Sequence, residues 1–335
     1  MVLTTKSRLA LRAWNVGFVT RRTIAQYALP RYLVTPDELH TALQKNVPTR
    51  ISTAPRIIPL CASWFLPNDP EKRTGHSTFI TSRIPQSRFF DLDAIKDRQS
   101  PYPHMLPTPT AFADAMGKLG IRRDDSLVVY DTKELGIFSA PRVAWTLRVF
   151  GHSNVHILNN FRLWVELGYP LDKGEPAPVD ETDYRPVPDL DASKVATFEE
   201  IHERILEKGK EGAEEVQILD ARSTGRWEGK DPEPREGLSS GHIPRSSSIP
   251  FSSVLDPTTK TFLPSSELRA LFKEKGVDPS KAIINSCGTG VSAAVLDAAL
   301  AEAGFADEGR RLYDGSWTEW AQRVKPEENL IHKKA

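Results

Sequence analysis

A chain of 335 residues is longer than one typical domain and suits two, and 39% hydrophobic residues supply material for packed cores. Lysine plus arginine and aspartate plus glutamate both number 44, so no net charge pulls the chain toward nucleic acid or an anionic membrane. No apolar run is long enough to span a bilayer, and two cysteines in no C-x-x-C or zinc-ligand spacing exclude a disulfide framework and fit a reducing compartment.

Before Asp37 there is no acidic residue, whereas Lys6, Arg8, Arg12, Arg21, Arg22 and Arg31 are spread among hydroxyl-bearing and apolar residues. That composition predicts a mitochondrial targeting segment over residues 1–30 and a matrix location, with a cytoplasmic pool left open. From Arg56 the stretch RIIPLCASW reads as a short buried strand, and Cys61 within it as a core thiol. An Ile84-Pro85-Gln86-Ser87 turn follows. TAFADAMGKLGIRRDDSLVVYD then reads as an amphipathic helix, a glycine turn and a second buried strand, and ILNNFRLW ends at Trp164. Residues 172–195, rich in Pro, Asp and Glu from Asp172 to Asp191, predict an extended linker.

Beyond the linker the same order returns. EVQILDARS, from Glu215, is again a buried strand, and Ile243-Pro244-Arg245-Ser246 is again a turn. Strand and turn are both displaced by 159 residues from their first occurrence. SELRALFKEKGVDPSKAIINSC repeats the helix, turn and strand, and RLYDGSWTEW ends at Trp320, 156 residues after Trp164. One α/β unit written twice is expected: an N-terminal domain over 31–171, a C-terminal domain over 196–326 and a tail over 327–335. Strands alternating with helices predict a parallel central sheet flanked by helices in each.

The segment KAIINSCGTGVSAAVLDAALAEAG concentrates the chemistry. A strand ends near Asn285 and a helix begins at Val291, with Cys287, Gly288, Thr289 and Gly290 between them. Two glycines let the backbone curl, so that the N–H groups of Gly288, Gly290, Val291 and Ser292 face one concavity. The helix adds the positive end of its dipole. An accessible Cys287 thiolate there is stabilised and made nucleophilic. Phosphatases with a cysteine in such a loop close it with an arginine. Here those positions are Ala293 and Ala294.

The motifs CASWFLP, RIPQSRFFDLD, SPYPHMLP, IFSAPRVAW, DARSTGRWEGKDPEPREGLSSGHIP, SCGTGVSA and YDGSWTEW occur in one order between about Arg56 and Pro326. In them the chain resembles the tandem-domain rhodanese family, and within it the 3-mercaptopyruvate and thiosulfate sulfurtransferases. The resemblance implies a persulfide on Cys287 and an inactive N-terminal copy with Asp131 at the place of the cysteine. It implies Arg226 and Arg235 as substrate-binding residues, and a relay from the loop hydroxyl at Thr289 through His104 to Asp93. Thr289 departs from the serine common among mercaptopyruvate enzymes, and Asn159-Asn160-Phe161 from an Asp-Gly-Gly turn. His242, beside an apolar residue in GHIP, reads as structural.

The reaction so implied needs neither metal nor other cofactor. Sulfur passes from a small-molecule donor to Cys287 and then to a thiol, thioredoxin, cyanide or protein acceptor. No Lys or Arg lies between Cys287 and Ser292, which favours 3-mercaptopyruvate, whose carboxylate lies away from its sulfur, over the thiosulfate dianion. Thiosulfate:cyanide sulfur transfer and a sulfur relay for tRNA thiolation are the alternatives.

Overall fold

The computed structural model describes residues 29–46, 54–207 and 216–334. Of the targeting segment expected over residues 1–30, residues 1–28 lie outside them. Two five-stranded sheets, every strand pairing parallel, form the frame. The first contains β1 (Leu33–Val34), β2 (Ile57–Cys61), β3 (Arg88–Phe89), β4 (Ser126–Tyr130) and β5 (Val155–Leu158), in the order β1-β5-β4-β2-β3. The second contains β6 (Val195–Ala196), β7 (Val216–Asp220), β8 (Ser247–Ser248), β9 (Ala282–Ser286) and β10 (Arg310–Tyr313), in the order β6-β10-β9-β7-β8. The two orders are the same pattern. IIPLC in β2 is buried along its whole length because helices cover both faces of a parallel sheet.

In each unit the chain leaves β7 or β2 toward one edge and β9 or β4 toward the other. The switch point therefore lies between these two central strands, where open parallel sheets bind ligands at the strand carboxyl ends. Cys287 follows β9 at that point, and Asp131 follows β4 at the matching point. The helices that come next, Ala140–Val149 and Val291–Glu302, pack against each other. Their Val143, Leu147, Val295 and Leu296 belong to one apolar cluster that runs through both units.

Two segments are more tightly built than the sequence suggests. In the linker, Asp172 pairs its backbone with Arg83, Tyr184 is buried against Phe112, and β6 starts inside it at Val195. Residues 327–334 do not trail away either. Leu330 accepts from Trp320 Nε1 at 3.0 Å, and His332 exchanges backbone hydrogen bonds with His242 at 2.8 and 3.0 Å. Burial of Leu330 beside Trp320 supplies the reason.

Candidate active site

β9 delivers the chain to Cys287, and the loop is pinned from the far side by residues 316–318. Cys287 N donates to Ser316 Oγ (3.2 Å), Trp317 N donates to Cys287 O (2.9 Å), and Thr318 donates to Gly288 O through N (3.0 Å) and Oγ1 (2.7 Å). The N–H groups of Gly288, Thr289, Gly290, Val291 and Ser292 find no protein acceptor among the described residues. Five successive free donors at the start of a helix of 12 residues form an anion cradle. Gly290 holds a φ of +75°, and a Cβ there would meet Arg142 Nη1 and lie 3.0 Å from Asp314 O, so only glycine fits.

Access to the sulfur differs from the sequence expectation. Cys287 is only 2% exposed, because it packs in the apolar cluster shared by the two units. The polar surroundings nevertheless converge on it. Arg226 Nη2 sits 3.2 Å from where a Cβ on Gly288 would lie, and Arg235 is close enough for a Cys287 thiolate to favour its charged form.

The two arginines are not equivalent. Arg226 is tied to Glu233, which also binds Arg222 (2.8 Å), so much of its charge is answered within the protein. Arg235 has no carboxylate partner among the described residues, and burial lowers its pKa from the ordinary arginine value. It lines both a cleft of about 690 Å³ with Trp64, Asp93 and His104, and one of about 410 Å³ with Tyr102, Leu238 and Thr318.

Thr289, His104 and Asp93 meet across the junction of the two units. His104 Nδ1 is 3.1 Å from Thr289 Oγ1, its Nε2 is 3.2 Å from Asp93 Oδ1, and Trp64 Nε1 donates to Asp93 Oδ2 at 2.9 Å. Burial holds the His104 pKa below the ordinary histidine value, against the opposing pull of Asp93. The hydrogen bond from His104 is the main cause holding Asp93 below the usual carboxylate range. Neutral imidazole beside an ionised carboxylate puts the ring proton on Nε2, which donates to Asp93. Nδ1 is then free to accept the Thr289 hydroxyl proton.

A second buried group supports this array, and no motif spacing marks it in the sequence. Arg142 Nη2 donates to His104 O (2.6 Å) and to Asp314 Oδ1, while Asp314 Oδ2 accepts from Leu106 N (2.8 Å). Both residues stood inside motifs, IFSAPRVAW and YDGSWTEW, but nothing in either marks them as partners. Trp64 was likewise visible only as part of CASWFLP.

Cys61 is fully buried, and burial pushes its thiol up to about 12. His242 stacks on Trp227 at 3.9 Å and bonds to Trp227 O through Nδ1 at 2.7 Å, a packing role outside the cleft. In the first unit Asp131 fills its own cradle. Its carboxylate accepts from the N–H groups of Phe138 (2.8 Å), Ser139 (3.1 Å) and Ala140 (2.9 Å). Among the described residues no group of three or more His, Cys, Asp or Glu could hold a metal, and no helix is long and apolar enough to cross a membrane.

Comparison with known proteins gives this geometry a context. A family profile described as a rhodanese-like domain matches residues 201–323. The thiosulfate sulfurtransferase TUM1 of Saccharomyces cerevisiae is 46% identical over 81% of this chain and 90% of its own. The 3-mercaptopyruvate sulfurtransferase of Rattus norvegicus is 41% identical over 80% of this chain and 86% of its own. Among solved structures, the yeast mitochondrial complex I sub-stoichiometric sulfur transferase subunit superposes with a TM-score of 0.78 at 38% identity, covering 91% of this chain and all of that one.

Proposed function

Because the chain belongs to the tandem-domain rhodanese family of sulfurtransferases, we propose that it moves sulfur from 3-mercaptopyruvate onto Cys287 and from there to a thiol, cyanide or protein acceptor. The observation that carries this reading is the meeting of Cys287, five unpaired amides and the Thr289–His104–Asp93 relay at one strand end.

Arg235, which forms no ion pair among the described residues, anchors the donor carboxylate, and Arg226 stands beside the loop. The Cys287 thiolate attacks the donor sulfur. The C3–S bond breaks, its electron pair passes to carbon as the enolate of pyruvate, and the outer sulfur stays on Cys287. The donor's own thiol proton balances the new C–H bond, handed over through the Thr289 hydroxyl. The amides of Gly288 to Ser292 hold the persulfide anion. An acceptor thiolate then attacks the outer sulfur, and Cys287 leaves as thiolate, ready for another cycle. The N-terminal unit supplies His104 and Asp93 but no nucleophile.

Mass spectrometry after mercaptopyruvate treatment tests the central step. The intact chain should gain one sulfur atom, located on Cys287 by peptide mapping, and Cys287→Ser should gain none. Sulfur on another residue would overturn the assignment. Side-by-side kcat/KM values for mercaptopyruvate and thiosulfate test the donor. Thiosulfate remains the second reading, because the relative at 46% identity carries that name. The acid-free leader and the mitochondrial source of the structural neighbour support a matrix location, with thioredoxin or a protein sulfur acceptor as partner.

A further inference from the structure

At the start of β2, the end of the strand away from Trp64, a cleft of about 360 Å³ lies between the first sheet and residues of the interdomain segment. Three arginines line it: Arg56, Arg83 and Arg88. Arg56 is answered by Asp125, with Nε to Oδ1 at 3.0 Å. Arg83 and Arg88 form no ion pair among the described residues, and Asp125, already bound to Arg56, only favours the Arg88 charge from a distance.

Arg83 is 5% exposed, yet its guanidinium donates only through Nη1 to Gly174 O and rests over the Phe79 ring at 5.0 Å. Its Nε and Nη2 have no protein acceptor among the described residues and are not sealed from solvent. Arg88 gives Nε to Leu119 O (3.1 Å) and Nη1 to Gln86 O (2.7 Å), which leaves Nη2. Burial and the nearby Arg56 lower the Arg88 pKa from the ordinary value. The acid in the lining, Asp172, is exposed and makes no ion pair with either guanidinium. A buried guanidinium without a counter-charge is costly, and proteins keep one where an anion answers it.

We propose that this cleft is a binding site for a small oxyanion of the phosphate or sulfate class, held by the free donors of Arg83 and Arg88. Forked N–H donors match the oxygens of such an ion. Ile57, Ile58, Pro176 and Pro178 also line the cleft, so apolar surface lies beside the charge. Because Gly174 and the two prolines belong to the linker, the bound anion fastens that segment to the N-terminal unit, and binding stabilises the folded chain by mass action.

Thermal unfolding of the full chain in inorganic phosphate, against potassium chloride at equal ionic strength, provides the test. Arg83 is bound into the linker contact and its loss risks misfolding, so Arg88→Gln is the informative variant, with an unchanged far-ultraviolet circular dichroism spectrum as its check on folding. Tm should rise saturably with phosphate in the wild type and stay nearly flat in Arg88→Gln. In Arg235→Gln, where the catalytic cleft has lost its unpaired guanidinium, the rise should persist. An equal rise in Arg88→Gln, a rise lost only in Arg235→Gln, or none beyond that in chloride would each overturn the site. None of these outcomes depends on sulfur transfer.

Discussion

His104 joins two chemical demands that pull in opposite directions. Burial favours the neutral ring, and Asp93 favours the charged one, with burial the larger cause. Protonation of Nδ1 turns the acceptor of the Thr289 hydroxyl into a donor and stops the relay. The acid limb of kcat/KM should therefore lie below the ordinary histidine value of about 6.5, with activity retained as pH falls through that value and lost only when the depressed pKa is crossed. A pH–rate profile with the limb at or above that value would contradict the tautomer. Asp93→Asn removes the negative charge and leaves one acceptor where His104 Nε2 and Trp64 Nε1 need two, and Thr289→Val removes the hydroxyl while keeping the shape. Each should lower kcat by about 10²-fold, whereas Thr289→Ser should stay near wild type. At this scale the loop was legible, because Gly288 and Gly290 around a cysteine report backbone geometry directly. The near-total burial of the sulfur was not, since it depends on contacts with distant residues.

The helices after the two central strands differ in how their N-termini are used. Ala140–Val149 is preceded by Asp131, whose carboxylate occupies the amides and whose pKa burial raises from the usual value. Val291–Glu302 is preceded by a loop whose amides stay free. The first helix contributes in another way, through Arg142, which is 1% exposed and fixes the carbonyl of His104 at a φ of +63°. Arg142→Met leaves Asp314 buried without its cation, and such a loss costs about 3–5 kcal/mol. Arg142→Met combined with Asp314→Leu removes both charges and should recover most of that stability. The double variant should still turn over slowly, because His104 O has lost its donor and the imidazole its fixed pose. Chemical denaturation and kcat measured on the same samples separate the two effects. Recovery of both together would show that the pair only holds the fold. No sequence pattern announced this pair, since its members lie 172 residues apart.

Duplication was the most legible feature of the whole molecule, because buried strands and Ile-Pro turns recur at one spacing and each unit repeats the same sheet order. Less legible was how far the two units have merged. The strand and helix pattern reports what each unit buries within itself, whereas the apolar helix Val291–Glu302 could have faced its own sheet alone. Instead, Leu127, Val143 and Leu147 from one half share a cluster with Val295, Leu300 and Leu312 from the other. Asn159 and Asn160 of the N-terminal unit cross the junction as well: Phe262 N donates to Asn159 Oδ1 at 3.0 Å, and Asn160 Nδ2 donates to Thr259 O at 2.9 Å. Separating the units would expose the faces of both central helices to water, at a cost that scales with apolar area. Neither unit then has an independent stability for denaturant to reveal, and the chain should unfold in one cooperative step. Tryptophan fluorescence follows Trp64, Trp145 and Trp164 in one half and Trp227, Trp317 and Trp320 in the other. Its urea transition should coincide with that of far-ultraviolet circular dichroism and with the loss of sulfur transfer. Two resolved transitions, or activity lost well before either optical signal, would mean that the junction is a contact between independent domains. Sharing His104 and Asp93 with the Cys287 loop would then be a matter of docking rather than of one core.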